Sequence, residues 1–152
     1  MSAAFNHIAS SIRNVVFGEQ VTVVAPCNLY ECSIGSNSFI GPFTEIQKGV
    51  VIGEHCSIQS HSFICSMVRI GNNCFIGHGV VFINDLFSEG KPAGDATKWK
   101  ATNIANGVLI GSNATILPVN ICEGVTIGAG AVVTKDIEEP GIYGGNPAKK
   151  IR

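Results

Sequence analysis

Large apolar residues recur along this chain at a spacing of six, with an occasional step of five. They stand at Phe17, Val23, Leu29, Ile34, Ile40, Ile46, Ile52, Ile58, Ile64, Ile70, Ile76, Phe82, Ile104, Ile110, Ile116, Ile121, Ile127 and Val133. The pattern is interrupted between Phe82 and Ile104. A period of six cannot keep one helical face apolar, so the repeat is typical of short strands stacked in a solenoid.

A small or β-branched residue stands two positions before each large one, and Gly often follows the large one. Because side chains two apart share one face of a strand, both residues of each pair are expected to point inward. Cys27, Cys32, Cys56 and Cys74 occupy such small positions and are predicted to fill the core. Each hexad therefore predicts a short strand and a tight turn, and three hexads predict one triangular coil.

The repeat predicts one all-β domain over residues 1–152, a parallel β-helix of about six triangular coils with a long inserted loop. Its expected parts are an N-terminal cap (1–14), coils (15–85), the loop (86–103), further coils (104–137) and a C-terminal tail (138–152). Phe5, Ile8 and Ile12 have helical spacing and predict a helix over the first open end. The tail after Pro140 is expected to close the other end.

Composition narrows the function classes. Ten basic and eleven acidic residues give a net charge of −1, which argues against a non-specific nucleic-acid binder or a polybasic membrane protein. No apolar run is long enough to span a bilayer, and the start does not have the pattern of a signal peptide. The six cysteines lack metal-type spacing, so the expectation is a cytoplasmic protein with reduced thiols.

Five segments carry a more specific pattern: 41–47 (GPFTEIQ), 60–65 (SHSFIC), 75–85 (FIGHGVVFIND), 110–118 (IGSNATILP) and 145–149 (GNPAK). The hexads resemble those of the left-handed parallel β-helix acyltransferases, which implies the left-handed winding. The five segments resemble more narrowly the nucleotide-sugar 3-amino N-acetyltransferases. Two departures stand out, Ser66-Met67 where many relatives have Glu-Gly, and Leu117-Pro118-Val119 where they have Leu-Pro-Gly-Val.

The resemblance implies a reaction and its partners. Acetyl-CoA would donate an acetyl group to the 3-amino group of a UDP- or dTDP-linked deoxy sugar used in surface polysaccharides. Relatives are homotrimers with each site between two subunits, and no metal takes part. Ser66 stands where many of these relatives have an acidic residue near the site, and this difference is expected to affect which sugar is accepted.

Asn84 and Asp85 are the first catalytic candidates, because they stand where the hexads stop and the inserted loop begins. An amide and a carboxylate there can hold a sugar amine and share the positive charge that develops on it. His61 is the third candidate, expected to begin a strand, to point outward and to serve as a general base.

The resemblance further implies substrate contacts from Glu45, His78 and Trp99. It also implies that the C-terminal coils hold CoA, the turn amides on its pantetheine and the basic groups on its phosphates. The residues expected to do so are Gly111, Ser112, Gly128, Ala129, Lys135, Pro147 and Lys149.

Three other functions are weighed against this one. A sugar O-acetyltransferase would need His61 or His78 as a base, because a hydroxyl must lose its proton. A zinc enzyme like the γ-type carbonic anhydrases would need three converging imidazoles, whereas His55 and His61 are predicted on different faces. A structural solenoid would show an outward ladder of identical residues, and Phe43, His61 and Gly79 form none.

Overall fold

Short strands wind into a three-sided parallel solenoid in the computed structural model, which describes residue 6 and residues 8–152. Sheet A contains β1 (Ile12–Arg13), β4 (Asn28–Tyr30), β7 (Glu45–Ile46), β10 (Phe63–Ile64), β13 (Val81–Phe82), β16 (Thr115–Ile116) and β19 (Val132–Val133). Sheet B contains β2 (Val16–Phe17), β5 (Ser33–Ile34), β8 (Val51–Ile52), β11 (Val68–Ile70), β14 (Thr102–Ile104) and β17 (Asn120–Ile121). Sheet C contains β3 (Thr22–Val23), β6 (Phe39–Ile40), β9 (Ser57–Ile58), β12 (Phe75–Ile76), β15 (Leu109–Ile110), β18 (Val125–Ile127), β20 (Gly141–Gly144) and β21 (Lys149–Lys150).

The core is a stack of the large apolar residues, held in register from coil to coil. Ile64 lies over Ile46 in sheet A, and Ile76 lies over Ile58 in sheet C. These four side chains are fully buried. The predicted all-β, parallel architecture is confirmed, and the repeat indicates the left-handed winding. Within the described residues, no helix is long and apolar enough to cross a membrane.

The cysteines in the small positions are buried as predicted, and all six cysteines are free thiols. The Cys56 Sγ donates to the carbonyl of Gly71 at 3.0 Å, in the next coil. Burial raises the pKa of Cys32 to about 11 and that of Cys65 to about 12. Cys32 and Cys65 are therefore protonated packing groups at neutral pH.

The solenoid has about seven turns rather than six, because parallel pairing begins before the first hexad position of the sequence pattern and continues beyond the last one. Ile12 pairs with Leu29 as part of β1, and residues 8–11 have no helix, so the predicted N-terminal helix is wrong over this stretch. Phe5 lies outside the described residues. Ile12 precedes Phe17 by five residues, so it belongs to the repeat by one of its five-residue steps rather than to a helical face.

The C-terminal segment extends sheet B with one bridge and sheet C with two strands. Ile137 forms a parallel bridge to Ile121, and β20 then pairs in parallel with β18. The last strand, β21, turns back and pairs antiparallel with β20.

The long loop joins β13 to β14 and spans residues 83–101, with a short 3-10 helix at Ala96–Lys98. Thr102 and Asn103, within the stretch predicted as loop, already belong to β14, because they pair with Val68 and Arg69. The loop therefore leaves the solenoid between sheets A and B and returns at that point.

Replacing Ile58 by Ala is expected to reduce the free energy of unfolding by about 2–5 kcal/mol, because the side chain is fully buried between neighbouring coils. Denaturant titration would measure the loss. Ile151→Ala is the matched control, since Ile151 is 65% exposed and should cost little. An unchanged melting temperature in Ile58→Ala would contradict the register of the repeat.

Candidate active site

Three corners join the sheets, and the predicted site residues fall mainly on two of them. The A–B corner comprises residues 47–50, 65–67 and the loop 83–101, and the C–A corner comprises residues 41–44, 59–62, 77–80, 111–114 and 128–131. The two corners lie at opposite edges of sheet A. The third, the B–C corner, includes residues 53–56 and 71–74.

Asn84 is fixed at the A–B corner where the chain leaves sheet A. Its side-chain Nδ2 donates to the carbonyl of Ser66 at 3.1 Å, one coil away. Its own carbonyl accepts from the N–H of Lys100 at 2.9 Å, which closes the base of the loop. Since Nδ2 is committed to Ser66, the Oδ1 of Asn84 is the group left to accept a hydrogen bond from a ligand.

Asp85 has a structural task inside the loop. One carboxylate oxygen accepts from the N–H of Phe87 at 2.9 Å and the other from the N–H of Ala93 at 2.8 Å. Asp85 is half-buried. The carboxylate therefore holds the first half of the loop in shape as well as placing negative charge beside Asn84.

The second half of the loop is ordered by a cap. Asp95 Oδ1 accepts from the N–H of Thr97 at 2.9 Å, and this bond lowers the pKa of the Asp95 carboxyl. Trp99 follows the 3-10 helix and is half-buried. Lys98 forms an ion pair with Glu89 at 2.7 Å across the loop.

A directed chain of polar side chains runs along sheet A towards Asn84. Arg13 donates to Asn28 at 3.1 Å, and Asn28 donates to Glu45 at 3.2 Å. Gln47 Nε2 donates to the other Glu45 oxygen at 3.0 Å, and Gln47 Oε1 accepts from the N–H of Ser66 at 3.3 Å. Both carboxylate oxygens of Glu45, which is predicted as a substrate contact, thus accept hydrogen bonds from neighbouring side chains.

A cleft of about 250 Å³, with two basic residues in its lining, lies on the sheet B side of the same corner. Lys48, Arg69, Met67 and Ala101 line it. Lys48 forms an ion pair with Glu31 at 2.8 Å, which raises the pKa of the lysine. Met67 has a φ of +72°, a strained value for a side chain of its size, where the resembling sequences carry Gly.

At the C–A corner, His61 is exposed in a turn and does not begin a strand, so that prediction is wrong. Its φ is +62°, because the second turn position of this corner is left-handed in successive coils, as at Phe43 (+60°) and Gly79 (+64°). The His61 ring lies 4.9 Å from the Phe43 ring, centroid to centroid. His78 occupies the turn of the next coil, and its Nδ1 is 3.5 Å from the Ser112 Oγ.

The turns assigned to CoA stack along the same corner. Gly130 donates to the carbonyl of Ser112 at 2.9 Å, and a Cβ at Gly111 would lie 2.5 Å from the backbone nitrogen of Ala129. The glycine is therefore required by the stacking of the coils. Ala129 and His78 remain exposed on the outer edge, which forms a continuous line of small turns.

The C-terminal residues assigned to CoA separate into two places. Pro147 and Lys149 are exposed beyond β20, beside β19, where Ala148 donates to the carbonyl of Val132 at 2.8 Å. Lys135 follows β19 at the other edge of sheet A. The structure thus brings Pro147 and Lys149 to the C–A corner and leaves Lys135 apart.

A single chain does not bring the three predicted catalytic residues together. His78 and Asn84 stand at opposite ends of β13, and at about 3.3 Å per residue their backbones are up to roughly 20 Å apart. His61 lies on the same edge as His78, and His55 lies at the B–C corner. Among residue 6 and residues 8–152, no three His, Cys, Asp or Glu side chains are placed to hold a metal.

The sequence did not suggest Gln47, Lys48 or Arg69 as site residues, and it pointed to Ser66 only as a departure from the resembling sequences. Ser66 lies 19 residues after Gln47 and 18 before Asn84, about one coil in each direction. That spacing of one full coil is the signal that would have found the contact.

Two family models match the chain. The model described as bacterial transferase hexapeptide (six repeats) covers residues 31–66, and that described as hexapeptide repeat of succinyl-transferase covers residues 67–83 and 102–135. The bifunctional protein GlmU of Thermodesulfovibrio yellowstonii is 32% identical over 146 residues, or 84% of this chain. GlmU of Acidithiobacillus ferrooxidans is 28% identical over 148 residues, or 86% of this chain. The chain spans 30% of the length of each of these curated relatives.

Solved structures share the fold at low sequence identity. A variant of AntD, an N-acyltransferase from Bacillus cereus crystallised with dTDP and coenzyme A, has a TM-score of 0.79 and 23% identity over 93% of this chain and 84% of AntD. A hexapeptide-repeat acetyltransferase from Vibrio cholerae, crystallised with acetyl-coenzyme A, has a TM-score of 0.67 and 24% identity over 78% of this chain and 69% of its own. A further AntD variant, crystallised with dTDP-4-amino-4,6-dideoxyglucose and coenzyme A, has a TM-score of 0.79, 22% identity, and covers 91% of this chain and 83% of AntD.

The three-sided parallel coil with its six-residue repeat defines a β-helix of the hexapeptide class. The two family models together cover more than half of the residues, and the strands from β1 to β19 follow the repeat. The chain belongs to the hexapeptide-repeat transferase family.

Proposed function

We propose that this protein is an acetyl-CoA-dependent N-acetyltransferase that acts on the C3 amino group of a UDP- or dTDP-linked amino-deoxy sugar. The observation that carries the proposal is Asn84, whose amide is held by Ser66 with Oδ1 left to accept, at the root of an ordered loop. The resemblance to the nucleotide-sugar enzymes, and the nucleotide and amino sugar bound by AntD, support this acceptor class. The product would enter surface polysaccharide synthesis in the cytoplasm.

The A–B corner suits the acceptor. An amine N–H can donate to Asn84 Oδ1, and the Asp85 carboxylate nearby stabilises the positive charge that builds on the attacking nitrogen. Lys48 and Arg69 line the adjoining cleft and suit the charge of a nucleotide diphosphate. Trp99 and Glu45 are the further substrate contacts that the resemblance implies.

The C–A corner suits the acetyl donor. Its small, stacked turns at Gly111, Ser112, Gly128 and Ala129 leave an open edge along which an extended pantetheine arm can lie. Exposed Pro147 and Lys149 continue that line and suit the phosphates of CoA. Lys135 would reach a donor only from a different subunit.

A complete site requires a second copy of the chain, because one copy presents its acceptor and donor corners at opposite edges of sheet A. We therefore propose a homotrimer in which the A–B corner of one subunit faces the C–A corner of the next. Threefold packing of three-sided coils gives each corner a partner and closes the assembly.

The reaction needs no strong base. The neutral amine attacks the thioester carbonyl, the new C–N bond forms as the C–S bond breaks, and the amine proton leaves with the CoA sulfur. Alignment of the amine by Asn84 makes the attack intramolecular, an effect worth about 7–11 kcal/mol at best. A turn N–H on the C–A corner would stabilise the developing oxyanion.

Sugar O-acetylation is the second candidate. His61 and His78 are both exposed on the proposed donor corner, and His78 Nδ1 approaches the Ser112 hydroxyl. Either imidazole could remove the proton from a hydroxyl acceptor. Loss of activity in both His61→Ala and His78→Ala would favour this reaction.

An acceptor panel tests the proposal. Release of the CoA thiol from acetyl-CoA would be followed with UDP- and dTDP-linked 3-amino sugars, their 4-amino isomers and the matching hydroxyl sugars. We expect acceptor-dependent release with a 3-amino sugar and an N-acetylated product by mass spectrometry. Release only with hydroxyl sugars would support the second candidate, and no release with any amine would overturn the proposal.

A further inference from the structure

The geometry points to Gln47 as a positioning residue that fixes the acceptor-binding face of Asn84, an inference that rests on the proposed function. Gln47 stands just after β7 on sheet A, one coil before Ser66. It does not bond to Asn84 directly, and it acts through the backbone of Ser66.

The direction of each hydrogen bond in this chain is determined by chemistry. The ionised carboxylate of Glu45 can only accept, so the amide of Gln47 must turn its NH₂ group towards it. This orientation turns Gln47 Oε1 towards Ser66, whose N–H donates to it at 3.3 Å. Glu45 is itself held by the amide of Asn28, which donates to its second oxygen.

The same logic extends to Asn84. The Ser66 carbonyl can only accept, so Asn84 must present its NH₂ group to it and turn Oδ1 away. Among residue 6 and residues 8–152, no donor to that Oδ1 is found. Gln47 therefore restrains the backbone turn that decides whether the corner offers an acceptor or a donor to a ligand.

The turn between Cys65 and Val68 needs such a restraint. Met67 adopts a φ of +72°, in the left-handed region that a side chain of this kind occupies only under strain. The Ser66 N–H to Gln47 bond and the Thr102 N–H to Met67 carbonyl bond, at 3.1 Å, hold the strained turn from its two sides. Loss of the first bond would release the Ser66 carbonyl that orients Asn84.

Gln47→Leu tests the inference because it keeps the approximate size of the side chain and removes both bonds. We expect kcat/KM for the amino sugar to fall about 10- to 100-fold, mainly through kcat, with an unchanged KM for acetyl-CoA. Asn103→Leu is the matched control, since Asn103 is an exposed amide on sheet B that, among the described side chains, bonds only Asn120. It should retain wild-type kinetics.

Gln47→Glu provides a second measurement, the pH dependence of kcat/KM, which would not change if Gln47 only supported the fold. The introduced carboxyl can still accept from Ser66, but it faces the Glu45 carboxylate unless one proton is shared between them. Two adjacent carboxylates raise the pKa of the group that is protonated first, so the donor bond is restored below that pKa and lost above it. The ratio of Gln47→Glu to wild-type kcat/KM should therefore rise as the pH falls.

Other groups beside Glu45 do not account for such a profile. Arg13 is engaged with Asn28, and burial raises the pKa of Tyr30 above its ordinary value of 10, so Tyr30 does not titrate between pH 5 and 8. Glu31, the remaining charge beside Tyr30, is paired with Lys48. Phe63, which faces Glu45 from the next strand, has no titratable group.

A spectroscopic arm separates this inference from the proposed function. The side-chain amide signals of Asn84 in the ¹H–¹⁵N spectrum are identified by their absence in Asn84→Ala, and they should shift in Gln47→Leu but not in Asn103→Leu. Unshifted Asn84 signals, or a pH-independent ratio for Gln47→Glu, would overturn the inference. If no amine is acetylated by the wild type, the proposed function fails while the Asn84 signals still decide the role of Gln47.

Discussion

Asn84→Ala should lose about 10²- to 10³-fold in kcat/KM for the amino sugar, with the KM for acetyl-CoA near the wild-type value. The loss is expected because the variant removes the acceptor that aligns the amine, whereas the donor is held at the other corner. Steady-state kinetics with each substrate varied in turn would measure both effects. The fold should tolerate the change, since only one side-chain hydrogen bond is lost, worth about 1 kcal/mol.

Substitutions at Asp85 are expected to reduce kcat/KM to different degrees. Asp85→Ala removes the acceptors for both Phe87 and Ala93, whereas Asp85→Asn keeps one oxygen acceptor and should retain measurable turnover. Limited proteolysis of the loop would separate the two tasks of this side chain, since a looser loop is cut faster whatever the chemistry. Wild-type kcat/KM in both Asn84→Ala and Asp85→Ala would remove these residues from the mechanism and favour His61.

The hexads predict the fold in detail because the same position of each hexad is buried in successive coils and therefore carries an apolar residue each time. Ile46, Ile58 and Ile64 lie where the period places them, and Cys56 fills a small slot beside them. The prediction fails at Ile12, which belongs to the repeat, because a five-residue step and a helical spacing coincide there in the sequence. The prediction also fails at His61, because the second residue of this turn has a left-handed φ. Such a position is normally recognised in a sequence by Gly or Asn.

The site is harder to predict because its contacts join different coils. Asn84 and Asp85 can be singled out as the residues at which the hexads stop, but the roles of Ser66 and Gln47 depend on side chains meeting across a coil. A one-dimensional pattern also does not show that Asn84 and His61 lie at opposite edges of one sheet. Only the winding of the chain separates them.

Because the two corners of one chain are separated, a mixture of two inactive variants is expected to recover activity. This recovery is the second large effect. Asn84→Ala impairs the A–B corner, and Ala129→Phe should block the exposed C–A corner with a ring while leaving the core intact. Each variant alone is expected to be nearly inactive. When the two are co-assembled in equal amounts, about a quarter of the sites in a random trimer combine two unaltered corners and should recover activity.

A matched mixture tests the geometry behind this expectation. A mixture of Asn84→Ala and Asp85→Ala alters the A–B corner of both chains. No site then contains an intact A–B corner, so activity should stay low. Sedimentation of the wild type should give a mass about three times the 15.9 kDa of the chain. A single 15.9 kDa species at micromolar concentration, or no recovery in the Asn84→Ala and Ala129→Phe mixture, would contradict a site shared between subunits.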